Sequence, residues 1–309
     1  YSFVKGAIWL GMGSDAVIKV KTDEKGRMNP LELDRAILKA KREGKVPFFV
    51  GCTSGTTVLG AFDPLAPIAQ ICKKHNLWMH VDAALGGTVL LSRKHRHLMD
   101  GIQFADSMTW NLHKLAAIPL QCSAFLTRHN TLLTECNSLN AEYLFQCDKY
   151  YDASYDSGDK SIQCGRKVES LKVWLAFAAR GERQMEKLVD NIFDMVEYTC
   201  RKLREKPCFR LVLPEFESNN VCFWFIPQSM RRTNGLLLKS DSKLSKVCPS
   251  IKGKMMKEGK LMVNYQPLTS KNLPNFFRLV FTCFPATTKE DVDFLVNEIE
   301  KLGNNSCFE

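Results

Sequence analysis

The chain has no run of 18 uninterrupted apolar residues, so nothing in it reads as a membrane-spanning helix. It has no Cys-x-x-Cys pair and no zinc-ligand spacing. No segment repeats internally and none is of low complexity. A charged-then-apolar leader with a cleavage site is also missing. The first residue is Tyr1 rather than methionine, so a processed chain or a piece of a longer one is expected. At 45% apolar and 25% charged, the 309 residues exclude a mostly disordered protein, a collagen-like repeat and a coiled coil.

Positive charge is present in excess, with 43 Lys and Arg against 33 Asp and Glu. The excess is concentrated: residues 201–260 hold 14 basic and 5 acidic side chains, which is +9 of the +10 total. A nucleic-acid or membrane patch is one reading of that stretch. The other is a solvated surface, and it is preferred because aromatics do not interleave with the charges as a stacking platform requires. Neither a nucleic acid nor a membrane is expected as a partner. Twelve cysteines are scattered, several in apolar runs such as Asn220–Ile226, and fit buried free thiols in a reducing cytoplasm.

Periodicity organises the chain. Alternation in VIKVKTD (17–23) predicts a strand, and NPLE then starts a helix, with Asn29 as N-cap and Pro30 at its first position, running to about Glu43. Buried strands are predicted at 46–52 and 77–81, and further strands at 106–110 and 122–127. Between the first two, Asp63 and Pro64 start a helix that ends near His75. Strands alternating with helices of this length mean βαβ units and a parallel sheet. Helical spacing follows at 165–181 and again at 182–206, placing a domain boundary near Gly181: residues 1–180 form one unit and 181–309 a smaller α+β unit. In the latter, 220–227 and 275–284 read as strands and 243–259 as a helix ended by Gly259. A last helix starts at Thr288 and stops at Gly303.

Three features carry chemistry. Asp82 closes a predicted parallel strand, where ligands of open α/β sheets bind, and Ala83 and Ala84 beside it leave room for a flat ring. Lys114 follows Asn111 and His113 after another strand, where partial desolvation would make an amine nucleophilic. Thr53 opens TSGTT (53–57), a turn with hydroxyls and a glycine at a third strand end. An aspartate and a lysine on neighbouring strand ends suit pyridoxal 5′-phosphate (PLP): the lysine binds the aldehyde as a Schiff base and the acid keeps the pyridine nitrogen protonated. An ordinary Asp–Lys ion pair at a sheet edge is the other reading. His75 and His80 read as structural.

The motifs HVDAALGG, TWNLHK, PLQCSAFL, EYLFQCDKYYD, YDSGDKSIQCGRK, NVCFWFIP, YQPL and NFFRLVFTCFP occur in order along the whole chain. Together they resemble the group II PLP-dependent amino-acid decarboxylases, in the acidic-substrate branch of cysteine sulfinate, aspartate and glutamate decarboxylases. The resemblance implies an α/β, PLP-dependent transferase-like (fold type I) architecture, with residues 1–180 as the C-terminal part of the large cofactor domain. It implies Lys114 as the Schiff-base lysine, Asp82 on the pyridine nitrogen, Ala84 against the ring, and His113 and Asn111 at the phosphate. Tyr143 matches the loop tyrosine that protonates the substrate carbon, generally across a homodimer interface; its aromatic surroundings by themselves suggest a packed side chain. Arg278 matches the arginine that binds the substrate's side-chain acid. As a basic residue in an apolar strand it needs an anionic partner, which an internal Asp or Glu would also supply.

The activity implied is α-decarboxylation of cysteine sulfinate to hypotaurine, of aspartate to β-alanine, or both. The alternatives are a glutamate decarboxylase and a truncated, non-catalytic dimer partner. Departures from the family pattern are Leu112 for proline in NLHK and Leu85 for an aromatic after DAA. The family's ring-stacking histidine would fall one position before Tyr1, and its upstream phosphate-binding and dimerisation segments are absent, so this chain alone is expected to bind PLP weakly or not at all.

Overall fold

A computed structural model describes the chain except residues 140, 142, 144, 145, 147, 153, 154, 217, 232–242, 283 and 307–309. Three of the twelve cysteines (147, 283 and 307) and part of the basic stretch lie outside the described residues. The other cysteines are free thiols, all buried but Cys136 and Cys164.

Helix α1 (Ser2–Trp9), unforeseen in the sequence, leads into a loop and then α2 (Pro30–Arg42). The Asn29 side chain accepts from the Leu31 and Glu32 N–H groups, satisfying two of the donors that a helix start leaves open. The strand expected at 17–23 does not form: only Thr22 pairs, in an isolated bridge to Met28. Alternation supplies a face, but a strand also needs a neighbour to bond over several residues, and among the described residues this segment finds only that bridge.

The first sheet has the order β1 (Phe49–Thr53), β2 (Trp78–Asp82), β3 (Ser107–Trp110), β4 (Ala124–Thr127). The first three run parallel and β4 is antiparallel to β3. Helix α3 (Leu65–His75) makes the crossover from β1 to β2 and ends on left-handed Asn76. Val50, Cys52, Met79 and Val81 form one buried face against Leu65 and Ile68 of α3. The opposite face carries Phe49, Gly51, Thr53, His80, Asp82 and Thr109, because side chains alternate along a strand. Asp63 was expected to start α3. Instead, the N-cap position is Pro64, and the buried Asp63 carboxylate accepts from Met28 N (2.6 Å) and Thr53 N (2.7 Å), tying the loop before α2 to the end of β1.

After α4 (Leu132–Asn137), α5 (Glu169–Arg204) runs in two helical pieces that meet at Gly181, whose backbone is non-helical (φ 67°, ψ 169°). The second sheet is antiparallel, in the order β5 (Phe209–Leu211), β6 (Asn220–Phe225), β8 (Leu273–Val280), β7 (Asn264–Leu268). The short strands β5 and β7 were not foreseen. Helices α6 (Leu244–Glu258) and α7 (Lys289–Asn304) complete this unit. Gly259 ends α6 with a left-handed φ of 68°, and Thr288 and Asp291 form a full capping box for α7. Gly303, read as a stop signal, lies inside α7: a Cβ there would sit 2.4 Å from the buried Phe225 ring. The residue is therefore small for packing and does not end the helix. Among the described residues, no helix is long and apolar enough to cross a membrane.

Candidate active site

The parallel register sets Thr53 beside Asp82 and Asp82 beside Thr109, so three strand carboxyl ends form one row. The loops leaving that row are bonded to one another. Ser54 N donates to Asp82 O (2.9 Å), Gly86 N to Ser54 O (3.1 Å) and Asn111 N to Ala84 O (3.3 Å). Gly55 has φ 82°, and a Cβ there would meet Gly86 N at 2.8 Å, so both the turn and the close approach require glycine. The βαβ sequence pattern thus delivers the turn at 53–57, the Asp82 loop and the Asn111–Lys114 turn to one end of the sheet.

Asp82 is half-buried, and its Oδ1 accepts from Ala84 N at 3.0 Å. Its Oδ2 has no hydrogen-bond partner among the described residues. Lys114 follows β3 in a tight turn, its N–H donating to Asn111 O at 3.0 Å. The partial desolvation expected of Lys114 is not found: the side chain is exposed, and its amine has no partner among the described residues. No Asp82–Lys114 ion pair forms, which removes the alternative reading of the two as a sheet-edge pair. Leu112, where the family has proline, is 3% exposed and serves the core. His113 Nδ1 lies 2.7 Å from Cys122 O and 3.1 Å from Cys122 N, which anchors the ring to the chain entering β4.

The second sheet reaches the same turn. Arg278 in β8 stands beside Cys222 and Asn264, and its Nη1 donates to Thr57 O. Its Nε is buried without a partner, and no carboxylate pairs with it among the described residues. The internal Asp or Glu that the sequence left open is therefore absent there. Asn220, fully buried at the start of β6, donates from Nδ2 to Thr57 O (3.0 Å) and Val58 O (3.2 Å). Cys222 Sγ adds a contact to Val58 O at 3.2 Å, and burial pushes its thiol up to about 12.

Tyr143 lies apart from this cluster in hydrogen bonding, and at 79% exposed it is not the packed tyrosine that its aromatic surroundings suggested. Sequence reasoning missed Asn220 and Asp63. The signal for Asn220 was a polar residue opening an apolar strand. Asp63 was hidden by the Asp-Pro pattern of a helix start. His80 was set aside as structural, and burial holds its imidazole below the ordinary range, with the Asp82 charge acting in the opposite sense.

These residues fit a pyridoxal phosphate: an accessible amine, a carboxylate oxygen open for a ring nitrogen and an alanine beside it. The comparisons agree. A family model described as the pyridoxal-dependent decarboxylase conserved domain matches residues 1–226. Human cysteine sulfinic acid decarboxylase is 51% identical over 99% of this chain, and the mouse enzyme is likewise 51% identical. This chain spans 61% of the length of each. A crystal structure of mouse CSAD superposes with a TM-score of 0.93 at 49% identity, covering 99% of this chain and 62% of that one. On these grounds the chain belongs to the pyridoxal-dependent decarboxylase family.

Proposed function

We propose that this chain forms the cofactor- and substrate-binding part of a PLP-dependent carboxy-lyase that removes the α-carboxylate of a small acidic amino acid, cysteine sulfinate foremost and aspartate second. The observation that carries the substrate class is Arg278. A half-buried guanidinium bonded, among the described residues, only to a neutral carbonyl lacks the anion that such a group needs. A sulfinate or carboxylate on the substrate side chain supplies it through a two-pronged hydrogen bond. The relatives named for cysteine sulfinate support that acid over glutamate, although one methylene of extra reach is worth only about 1–3 kcal/mol.

Pyridoxal phosphate, when bound, supplies an electron-poor ring that takes up the electron pair left as carbon dioxide departs. Lys114, with its exposed amine, would hold the cofactor. Asp82 Oδ2, open among the described residues, would accept from the ring N–H and favour a positive nitrogen. Ala84 leaves the face of the ring uncluttered. Asn111 and His113 would hold the phosphate, and Thr53 would add a cofactor contact. Arg278 would fix the distal acid and so orient the scissile carboxylate, and positioning of this kind can remove several kcal/mol of barrier. Tyr143, exposed on its segment, gives a proton to the substrate Cα of a neighbouring copy in a homodimer. The reading includes residues 1–180 as cofactor domain, residues 181–309 as small domain, and a cytoplasmic enzyme.

Borohydride reduction in the presence of PLP, followed by peptide mapping, tests it. A pyridoxyl adduct concentrated on Lys114 is expected. An adduct spread over the exposed lysines, with none preferred, overturns it. Product analysis with cysteine sulfinate, aspartate and glutamate in competition then ranks the substrates.

A further inference from the structure

Three side chains on one face of the second sheet press on the turn that follows β1. Cys222 stands beside Arg278 across β6 and β8, and Asn220 lies two residues before Cys222, so strand alternation turns all three the same way. Cys222 meets Val58 O, Arg278 meets Thr57 O, and Asn220 meets both carbonyls. The approach is close: a Cβ on Gly60, whose φ is 70°, would stand 2.5 Å from Ser218 Cβ and 3.5 Å from Asn220 Cβ.

The turn secures its own ends. Gly55 N (2.9 Å) and Thr56 N (2.9 Å) donate to Ala61 O, Gly60 N donates to Thr56 O (2.8 Å), and Ala61 N donates to Thr56 Oγ1 (2.9 Å). None of these bonds uses the Thr57 or Val58 carbonyl, so those two are held from outside. A carbonyl oxygen has two lone pairs. At Thr57 O, one receives Asn220 Nδ2 (3.0 Å) and the other Arg278 Nη1. The surroundings of the Asn220 amide fix which way it faces. The carbonyls of Thr56 (3.5 Å), Thr57 and Val58 (3.2 Å) lie against it, and only its NH₂ end can donate to them. Its Oδ1 is left buried with no partner among the described residues. The side chain thus gives its donors to this one turn and leaves its acceptor unused. Arg278 depends on the same carbonyl: the bond to Thr57 O is its one hydrogen bond among the described residues.

We propose that Asn220 is a positioning residue for substrate recognition: by fixing the Thr57 carbonyl, it sets the direction in which Arg278 presents its guanidinium to the substrate's distal acid. This inference rests on the reading of Arg278 as the acid-binding residue. It assigns a part in specificity to a buried amide that acts only through the turn.

Two measurements test it. Nitrogen-15 spectra of the arginine-labelled chain, recorded without cofactor or substrate, report how the guanidinium is held, with the Arg278 Nε–H signal assigned by its loss in Arg278→Met. One sharp signal, slow to exchange with water, is expected in the unsubstituted chain, and Asn220→Ala is expected to shift or broaden it. A rapidly exchanging signal in the unsubstituted chain, or an unchanged signal in Asn220→Ala, overturns the proposal. Asn220→Ser, a smaller cut that leaves a hydroxyl for water to bridge, is read in the same way if Asn220→Ala does not fold. Kinetics supply the second readout. Asn220→Ala is expected to lower kcat/KM for cysteine sulfinate about tenfold or more, with PLP affinity kept within about twofold. In the Arg278→Met background the same substitution is expected to cost less than about twofold further, because its effect passes through the guanidinium. Equal fractional losses in both backgrounds mark a brace for the turn alone and overturn the proposal. If Arg278→Met itself keeps its activity on acidic substrates, it is the acid-binding reading that has failed, and the nitrogen spectra still decide whether Asn220 holds the guanidinium.

Discussion

Replacing Arg278 with methionine separates a substrate contact from a structural one. Methionine keeps an unbranched stem in the half-buried slot and removes the guanidinium. If the guanidinium binds the substrate's distal acid by two charge-assisted hydrogen bonds, each worth about 1.5–3 kcal/mol, its removal costs about 3–6 kcal/mol of transition-state binding. That is a loss of about 10²–10⁴-fold in kcat/KM for cysteine sulfinate. The structural cost is small by comparison. Arg278 gives up its bond to Thr57 O, but Thr57 is exposed, and the same carbonyl keeps the Asn220 Nδ2 donor at 3.0 Å. Water fills the vacancy, and a stability loss of about 0–1 kcal/mol follows. The assay pairs hypotaurine formation with PLP affinity and thermal unfolding on the same preparations. Arg278→Met is expected to lose activity on acidic substrates while cofactor affinity and Tm stay near the unsubstituted values. Parallel loss of all three would show that Arg278 braces the turn and that the substrate reading of it is wrong.

Two further predictions concern the frame around the site. Burial raises the Asp63 carboxyl above its ordinary value, against the lowering effect of the Met28 and Thr53 N–H groups. The folded state thus holds that proton more tightly than the unfolded chain does. Asp63's contribution to stability is greatest below the unfolded carboxylate value and is lost as pH rises through the folded one. Denaturant unfolding of the unsubstituted chain and of Asp63→Asn should therefore show the difference moving in favour of aspartate as pH falls toward 4, and the opposite trend would contradict the burial argument. In α7, Gly303→Ala adds about 1 kcal/mol of helix propensity but drives a methyl into the Phe225 ring, at about 1–3 kcal/mol. A lowered Tm, partly recovered when Phe225→Leu is combined with it, is expected; a raised Tm would show that the ring moves aside freely.

Local chemistry was legible in the sequence. Asn29 before Pro30, Thr288 three residues before Asp291, and Gly259 after a run of helix formers each act within one helical turn, where capping depends on neighbours in the chain. Strands β1, β2 and β3 were readable as apolar runs broken by turn residues. Their carboxyl ends could be named as the candidate site because a parallel sheet leaves its loops there. The motifs around Asp82 and Lys114 pointed to pyridoxal phosphate, and the one around Arg278 to an acidic substrate.

Only the tertiary structure decided what those residues meet. The alternation at 17–23 promised a strand and found only an isolated bridge, since pairing depends on a second segment. Gly303 reads as a stop in the chain and proves to be a gap for a ring that lies 78 positions earlier. Arg278 and Thr57, 221 residues apart, meet because β8 and the turn after β1 converge. Asn220 is a polar opening to an apolar strand until the Thr57 and Val58 carbonyls are set against it. Hydrogen-bond direction is a property of the assembled group, and no single residue in the sequence carries it.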